Sequence, residues 1–296
     1  MNYYEQIKNK IIDNEIYCKV KDYSKERNTV TTYFEIGRLL TEAGGKYGDN
    51  IIEEYSKKLI VEVGKKYNSR TLRRIKQYYK TFSDEKWSTV STKLTWSQYV
   101  ELLPIKNENK LWYYLNICIK YNIGVRELRY RIRSKEYERL SESAKIKFIE
   151  NEQPSLPDLV KNPILIKNTN KYTEISEKVL QQIILENIDS FMQELGSGFS
   201  YIGKEYPIKI GNNYNYIDLL LYNIDFNCYV VVELKVTKLK KEHIGQIEVY
   251  MNYIDRNLKK ISQDKTIGII ICKKDNEYII EYCSDKRIIS REFELL

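Results

Sequence analysis

Between Tyr214 and Val236 two apolar runs flank a short polar break, and ionisable residues interrupt the runs only at Asp218, Glu233 and Lys235. A carboxylate set among Leu, Val and Tyr is costly to bury unless something binds it. Runs of this length, rich in β-branched and aromatic residues, read as two buried strands. If Ile224-Asp225-Phe226-Asn227 is a four-residue loop, Asn223 pairs with Cys228. That register puts Asp218 opposite Glu233, with Cβ atoms roughly 4.5–5.5 Å apart. Lys235 lies two residues beyond Glu233, so strand alternation puts it on the same face.

Two carboxylates that close repel each other unless a cation stands between them. Hard divalent ions such as Mg²⁺ take oxygen ligands, use one or two carboxylates and keep several waters. A lysine beside such an ion can orient or deprotonate a water and steady negative charge on a phosphate, which is equipment for phosphodiester hydrolysis. The spacing alone suits a structural Asp–Lys or Glu–Lys pair across a hairpin equally well.

The rest of the second half reads as α/β. Ile175, Val179, Ile183, Ile184, Ile188, Phe191 and Leu195 predict one long helix over residues 173–195, with Glu186 and Glu194 inside its apolar arc. Strands are expected at 199–202, 206–210, 214–222, 228–236, 266–272 and 278–282, and a helix at 241–258. That order predicts a mixed sheet flanked by helices.

Residues 1–140 have helical periodicity. Val30, Phe34, Gly37 and Leu40 predict a helix ending at Gly44-Gly45, and a second is expected from Asp49 to Gly64. Next, Lys65 to Lys80 holds seven basic residues and no acidic one. Asn68 or Ser69 can cap a helix there, on which Arg70, Arg73, Arg74 and Gln77 share a face. Helix, Gly-containing turn and capped basic helix is the outline of a helix-turn-helix, and such a face suits phosphates and guanine edges. A solvated basic face on an ordinary helical domain fits the same residues. Trp96, Tyr99, Trp112 and Tyr113 are expected in the core. Pro154, Pro157 and Pro163 lie among polar residues and mark 141–170 as a linker, leaving 171–296 as the second domain.

Composition excludes more than it identifies. The 49 basic and 41 acidic residues give +8, a mild preference for a polyanionic partner. Five scattered cysteines without a CxxC pair imply reduced thiols and a cytoplasmic protein. No apolar run approaches the roughly 18 residues of a membrane span. A single histidine, His243, leaves no His-cluster zinc site and is expected to be structural. No phosphate-binding loop of the G-x-x-x-x-G-K-[ST] kind is present, so no nucleotide cofactor is expected.

The runs Y-I-D-L-L-L-Y and V-V-V-E-L-K-V, then G-Q-I-E-V-Y-M-N-Y-I-D, resemble the nuclease domain of the YhcG-like proteins, of the PD-(D/E)xK superfamily. Ile36-Gly37-Arg38, Asn68-Ser69-Arg70-Thr71-Leu72, Leu94-Thr95-Trp96-Ser97 and Val125-Arg126-Glu127-Leu128 resemble that family's helical N-terminal domain. The resemblance implies a restriction-endonuclease-like sheet, with Asp218, Glu233 and the Leu234 main-chain carbonyl binding Mg²⁺ or Mn²⁺ and Lys235 as catalytic lysine. Gln246 and Tyr250 match a Gln-x-x-x-Tyr element found in some lineages and share a helical face from which Gln246 could reach the site and Tyr250 the nucleic acid; Tyr250 packed on the sheet with Gln246 merely exposed is the alternative. The sequence departs from the family in lacking a proline before Asp218 and in carrying Gln181 where an acidic residue is expected. Glu194, then Glu186, are the remaining candidates for a third carboxylate ligand.

The function expected is a divalent-metal-dependent DNA endonuclease with a DNA-binding helical domain, of bacterial origin. A catalytically silent DNA-binding or assembly module and a nuclease acting on RNA are the alternatives. A homodimer with two sites is the simplest assembly for cutting both strands.

Overall fold

The computed structural model describes all residues except 1, 21–24, 49, 85, 86, 88–93, 151, 153 and 284. The expected helix start at Asp49 lies outside the described residues. The chain forms two compact units, Met1–Lys135 and Glu136–Leu296.

The first unit is helical: α1 (Tyr3–Val20), α2 (Lys25–Tyr47), α3 (Ile51–Glu62), α4 (Ser69–Phe82), α5 (Trp96–Leu102), α6 (Glu108–Tyr121) and α7 (Val125–Arg133). Asn68 caps α4 by accepting from the Thr71 N–H, and Thr95 and Gln98 form a capping box on α5. α2 does not stop at Gly44-Gly45. Leu39, Leu40 and Ala43 bury its inner face, and an interior glycine costs a helix only about 1 kcal/mol. The helix ends where Gly48 turns left-handed, at φ 83°, and its N–H bonds the Gly44 carbonyl at 2.9 Å. Gly37 is required by close packing. A Cβ there would lie 2.5 Å from the Ile75 carbonyl oxygen and 2.6 Å from the Tyr79 Cβ, where α4 crosses α2. The expected core aromatics are in place: Tyr99 and Tyr113 are buried, Trp96 packs edge-on against Tyr33, and Trp112 stacks near Trp87.

The second unit holds α8 (Glu142–Ile149), α9 (Leu156–Leu159), β1 (Ile164–Ile166), α10 (Glu177–Glu186), α11 (Ile188–Leu195), β2 (Phe199–Ile210) and β3 (Asn213–Asn223). It continues with β4 (Cys228–Lys238), α12 (Lys241–Asn257), β5 (Asp264–Lys274), α13 (Glu277–Glu281) and β6 (Ile288–Leu295). The strands form one mixed sheet in the order β1-β6-β5-β4-β3-β2. α10 and α11 cover one face through Leu180, Ile183, Ile184, Phe191 and Leu195. α12 covers the other through Ile247, Met251 and Ile254.

Four expectations are corrected here. Residues 141–170 are not a linker, because α8, α9 and β1 fold within them, and β1 pairs parallel with β6. The long helix over 173–195 is two helices. Asn187, at φ −132°, breaks it and gives its amide to the Lys167 carbonyl and the Thr169 hydroxyl. Residues 278–282 lie in helix α13 and the turn after it, not in a strand; the last strand is β6, parallel to β5 with Gly268 opposite Ile288. The expected strands 199–202 and 206–210 are one strand, β2, interrupted by a bulge between Tyr201 and Gly203.

Candidate active site

The hairpin register is the one read from the turn: Asn223 pairs with Cys228, and the ladder runs to Leu219 opposite Val232. One pair further on, Asp218 and Glu233 face the gap where the two strands stop bonding to each other. There the Asp218 Oδ2 accepts the Leu234 N–H at 2.8 Å, replacing a backbone partner. From α10, the Gln181 amide donates to the Asp218 main-chain carbonyl at 3.0 Å and fixes that strand from the other side. β4 continues alone with β5, Glu233 opposite Ile270 and Lys235 opposite Cys272.

Glu233 is 1% exposed. Its Oε2 lies 3.4 Å from the Lys235 ammonium, while its Oε1 is buried without a hydrogen-bond partner. Burial, and then repulsion from Asp218, push its carboxyl up to about 8. Asp218 is also raised, by burial first, against the Leu234 N–H and Lys235. Burial alone would pull the Lys235 ammonium down. Glu233, Glu177 and Asp218 outweigh it, so the shift is upward and the lysine stays charged.

Two acidic residues belong here that sequence reasoning missed. Glu177 opens α10, capped by Ser176, and its Oε2 lies 3.5 Å from the Lys235 ammonium. The signal available was helical phase, since Glu177 is one turn before Gln181. Glu205 falls between the pairs Lys204–Leu219 and Tyr206–Ile217, opposite Asp218. It occupies the left-handed region at φ 42°, and its charge adds to the upward push on Asp218.

The two candidates for a third ligand are both elsewhere. Glu194 is buried in an ion pair with Arg139, with Arg139 Nη2 at 3.2 Å, and also accepts the Leu165 N–H. A carboxylate so satisfied has nothing left to offer a cation. Glu186 accepts from Asn170, Tyr172 and Gln182 at the far end of α10. Gln246 and Tyr250 do share a face of α12, joined amide to hydroxyl at 3.1 Å, and Tyr250 is buried against the sheet. A buried ring is not a nucleic-acid contact, which corrects that expectation. His243 is buried, and its Nδ1 accepts the Lys240 N–H at the start of α12. Burial, then Lys235, hold its pKa below the ordinary value.

Among the described residues no group of three or more His, Cys, Asp or Glu side chains forms a metal cage. An all-oxygen pair with one unpartnered buried oxygen is the donor set of a cation that keeps most of its waters. Asp218 and Glu233 fit that description.

In the first unit, α3, a turn at Gly64 and α4 follow one another. Arg70 and Arg73 are exposed and Arg74 is half-buried. Arg73 pairs with Glu53, an exposed contact that a phosphate can replace. Gln77 does not belong to the contact surface, because its amide donates to the Leu103 carbonyl at 2.8 Å and ties α4 to the end of α5. No helix among the described residues is long and apolar enough to cross a membrane.

Comparison with known proteins places both units. Residues 157–293 match the YhcG PDDEXK nuclease domain, and residues 12–139 match the DUF1016 N-terminal domain. The Escherichia coli (strain K12) protein named "Putative nuclease YhcG" is 26% identical over 283 residues, covering 81% of this chain and 76% of that one. Among solved structures, a repair endonuclease from Pyrococcus abyssi aligns at TM-score 0.30 and 23% identity, over 43% of this chain and 49% of that one. An EndoMS–dsDNA complex aligns at TM-score 0.29 and 21% identity, over 43% of this chain and 48% of that one. The chain thus spans about half the length of those solved chains. With the two domain matches falling in order on its helical and its sheet unit, the chain resembles the YhcG-like proteins over most of its length, in the DUF1016 N-terminal domain and then in the YhcG PDDEXK nuclease domain.

Proposed function

We propose that this chain is a divalent-cation-dependent DNA endonuclease. One observation carries the reading: Glu233 is buried with an unpartnered oxygen, at the point where β3 and β4 part, beside Asp218. Asp218, Glu233 and Glu177 surround one ammonium, Lys235, and Glu205 adds its charge beside Asp218, so the site carries excess negative charge. A buried carboxylate with one oxygen left without a donor is destabilising unless it is protonated or bound by a cation.

Asp218, Glu233 and the Leu234 carbonyl would hold Mg²⁺ or Mn²⁺. Such an ion, when bound, offsets phosphate charge and makes water a better nucleophile at neutral pH. Lys235, kept protonated by its acidic neighbours, is a donor and not a base: it steadies negative charge on the phosphate. Glu177 holds that ammonium from the α10 side at 3.5 Å. Gln181 and the Leu234 N–H fix the Asp218 main chain and carboxylate. Gln246 supplies an amide on α12 to orient a water. In the first unit, Arg70, Arg73 and Arg74 on α4 contact phosphates in a helix-turn-helix arrangement. Cutting both strands asks for two sites, and a symmetric dimer supplies them.

Incubating the protein with plasmid DNA and Mg²⁺ or Mn²⁺ tests the reading, with RNA as the parallel substrate. Asp218→Asn and Lys235→Ala are each expected to lower the cutting rate by about 10²-fold or more. Undiminished cleavage by either variant removes the site assignment.

A further inference from the structure

β3 and β2 run on as a two-stranded arm beyond the last β3–β4 pair at Leu219. The arm has two unlike faces. Ile208, Ile217 and Tyr206 turn inward and pack with Ile247, Tyr250 and Met251 of α12, so the arm is held in place. Pro207 pairs with Tyr216 and Lys209 with Tyr214, and these four residues make the outer face. Tyr214 is 63% and Tyr216 56% exposed, and the Lys209 ammonium lies 5.9 Å from the Tyr214 ring centre.

A second copy of the chain adding a strand to β2 is the obvious alternative occupant. That edge is guarded against it: the bulge after Tyr201, the missing N–H of Pro207, and Lys204 and Lys209 all oppose strand pairing. What remains is two open aromatic rings, with a cation above one of them, on the strand that carries Asp218. Along a strand, Tyr216 is about 7 Å and Tyr214 about 13 Å from Asp218. A stacked nucleic-acid strand advances about 3.4 Å per residue. The rings therefore lie within about four nucleotides of a phosphate held at Asp218.

We infer that the outer face of this arm, Tyr214 and Tyr216 with Lys209, is a stacking platform for unpaired bases next to the scissile phosphate. Bases present a π-face whatever their identity, and aromatic platforms bind them without sequence preference. The preferred substrate is then nucleic acid with a single-stranded stretch beside the cut, and not uniform duplex. This rests on the nuclease reading for its substrate, but its test does not need cleavage.

The test is anisotropy of labelled oligonucleotides, single-stranded and blunt duplex of one sequence, with the full-length chain in EDTA. Replacing both rings (Tyr214→Ala with Tyr216→Ala) should weaken single-strand binding about tenfold or more, and duplex binding by less than about twofold. Tyr214→Phe with Tyr216→Phe keeps the rings and should bind within about twofold of the wild type. The slope of log affinity against log salt should stay unchanged in the alanine pair, because rings release no counterions. Three results overturn the inference: the alanine pair binding single strands as the wild type does, an equal loss on both substrates, or a loss confined to self-association. Cleavage by the wild type in Mg²⁺ is measured separately. Binding through the rings without any cutting would remove the nuclease reading and leave the platform standing. Cutting with ring-independent binding would do the reverse.

Discussion

Glu233 concentrates the chemistry of the site into one titration. Its carboxyl sits at about 8 because burial and Asp218 oppose its charge. The folded chain therefore holds a proton that the unfolded chain releases near pH 4.5. The stability from this group is complete below that value and is lost as pH rises towards about 8, at up to about 1.4 kcal/mol per pH unit. Glu233→Gln removes the titration. In EDTA, chemical denaturation should show the variant gaining on the wild type from pH 5 to pH 8. Mg²⁺ should then raise the melting temperature of the wild type at pH 8 and leave that of Glu233→Gln unmoved; equal shifts would mean that Glu233 does not hold the ion. Asp218, Glu233 and Lys235 were legible in the sequence because a four-residue turn fixes the register and strand alternation does the rest. Glu177 was not, since nothing local encodes where the start of a helix meets a sheet. Glu194, inside the apolar arc, could face the sheet or snorkel at the helix edge and was a candidate third ligand; what it meets instead, Arg139, lies 55 residues away in the chain.

That buried pair acts at the scale of elements. Glu194 on α11 joins the turn that carries Arg139 to β1, through the guanidinium and the Leu165 N–H. Glu194→Gln leaves a buried guanidinium without its counter-charge and should cost about 3–5 kcal/mol, whereas replacing both residues by leucine should cost less. Urea denaturation gives those values. The Mg²⁺-induced rise in melting temperature should survive Glu194→Gln, and its loss would return Glu194 to the site. Elements whose partners are near in sequence were the readable ones. The β3–β4 hairpin and α12 follow from turn length and period. β1 is three residues, Ile164–Ile166, whose reason for being a strand is β6 at the other end of the domain. Tyr278, Ile279 and Ile280 looked like a strand by composition, but the fifth position beside β5 goes to Ile288–Glu292 by long-range parallel pairing. A run of apolar residues carries no information about which distant edge is free. Gly37 shows the same limit in the helical unit. As a helix residue it looks replaceable, yet the α4 backbone at Ile75 fills the space beside it. Gly37→Ala should gain helix propensity and still lose about 1–3 kcal/mol to overpacking, read as a lower denaturation midpoint.

On the scale of the whole molecule, division of labour is the claim to test. Each unit has its own buried core, one built on α1, α2, α3 and α4 and the other on the two faces of the sheet. A chain starting at Glu136 keeps Arg139 and β1, both of which the sheet unit needs, and should unfold in a single cooperative transition. A chain starting at residue 171, where the sequence placed the boundary, loses them and should be poorly folded. If the helical unit supplies DNA affinity and the sheet unit the chemistry, the Glu136–Leu296 fragment should still cut DNA in Mg²⁺ but at higher protein concentration. Its binding should also depend less steeply on salt, because each lost phosphate contact removes about 0.9 from the log–log slope. In the full chain, replacing Arg70, Arg73 and Arg74 by alanine should lower that slope by up to about 2.7 while leaving the saturated cutting rate intact. A fragment with the affinity and slope of the full chain would move the DNA contact entirely onto the sheet unit. The basic face of α4 would then be solvated surface, and the phosphate contacts would belong to lysines and arginines of the sheet unit.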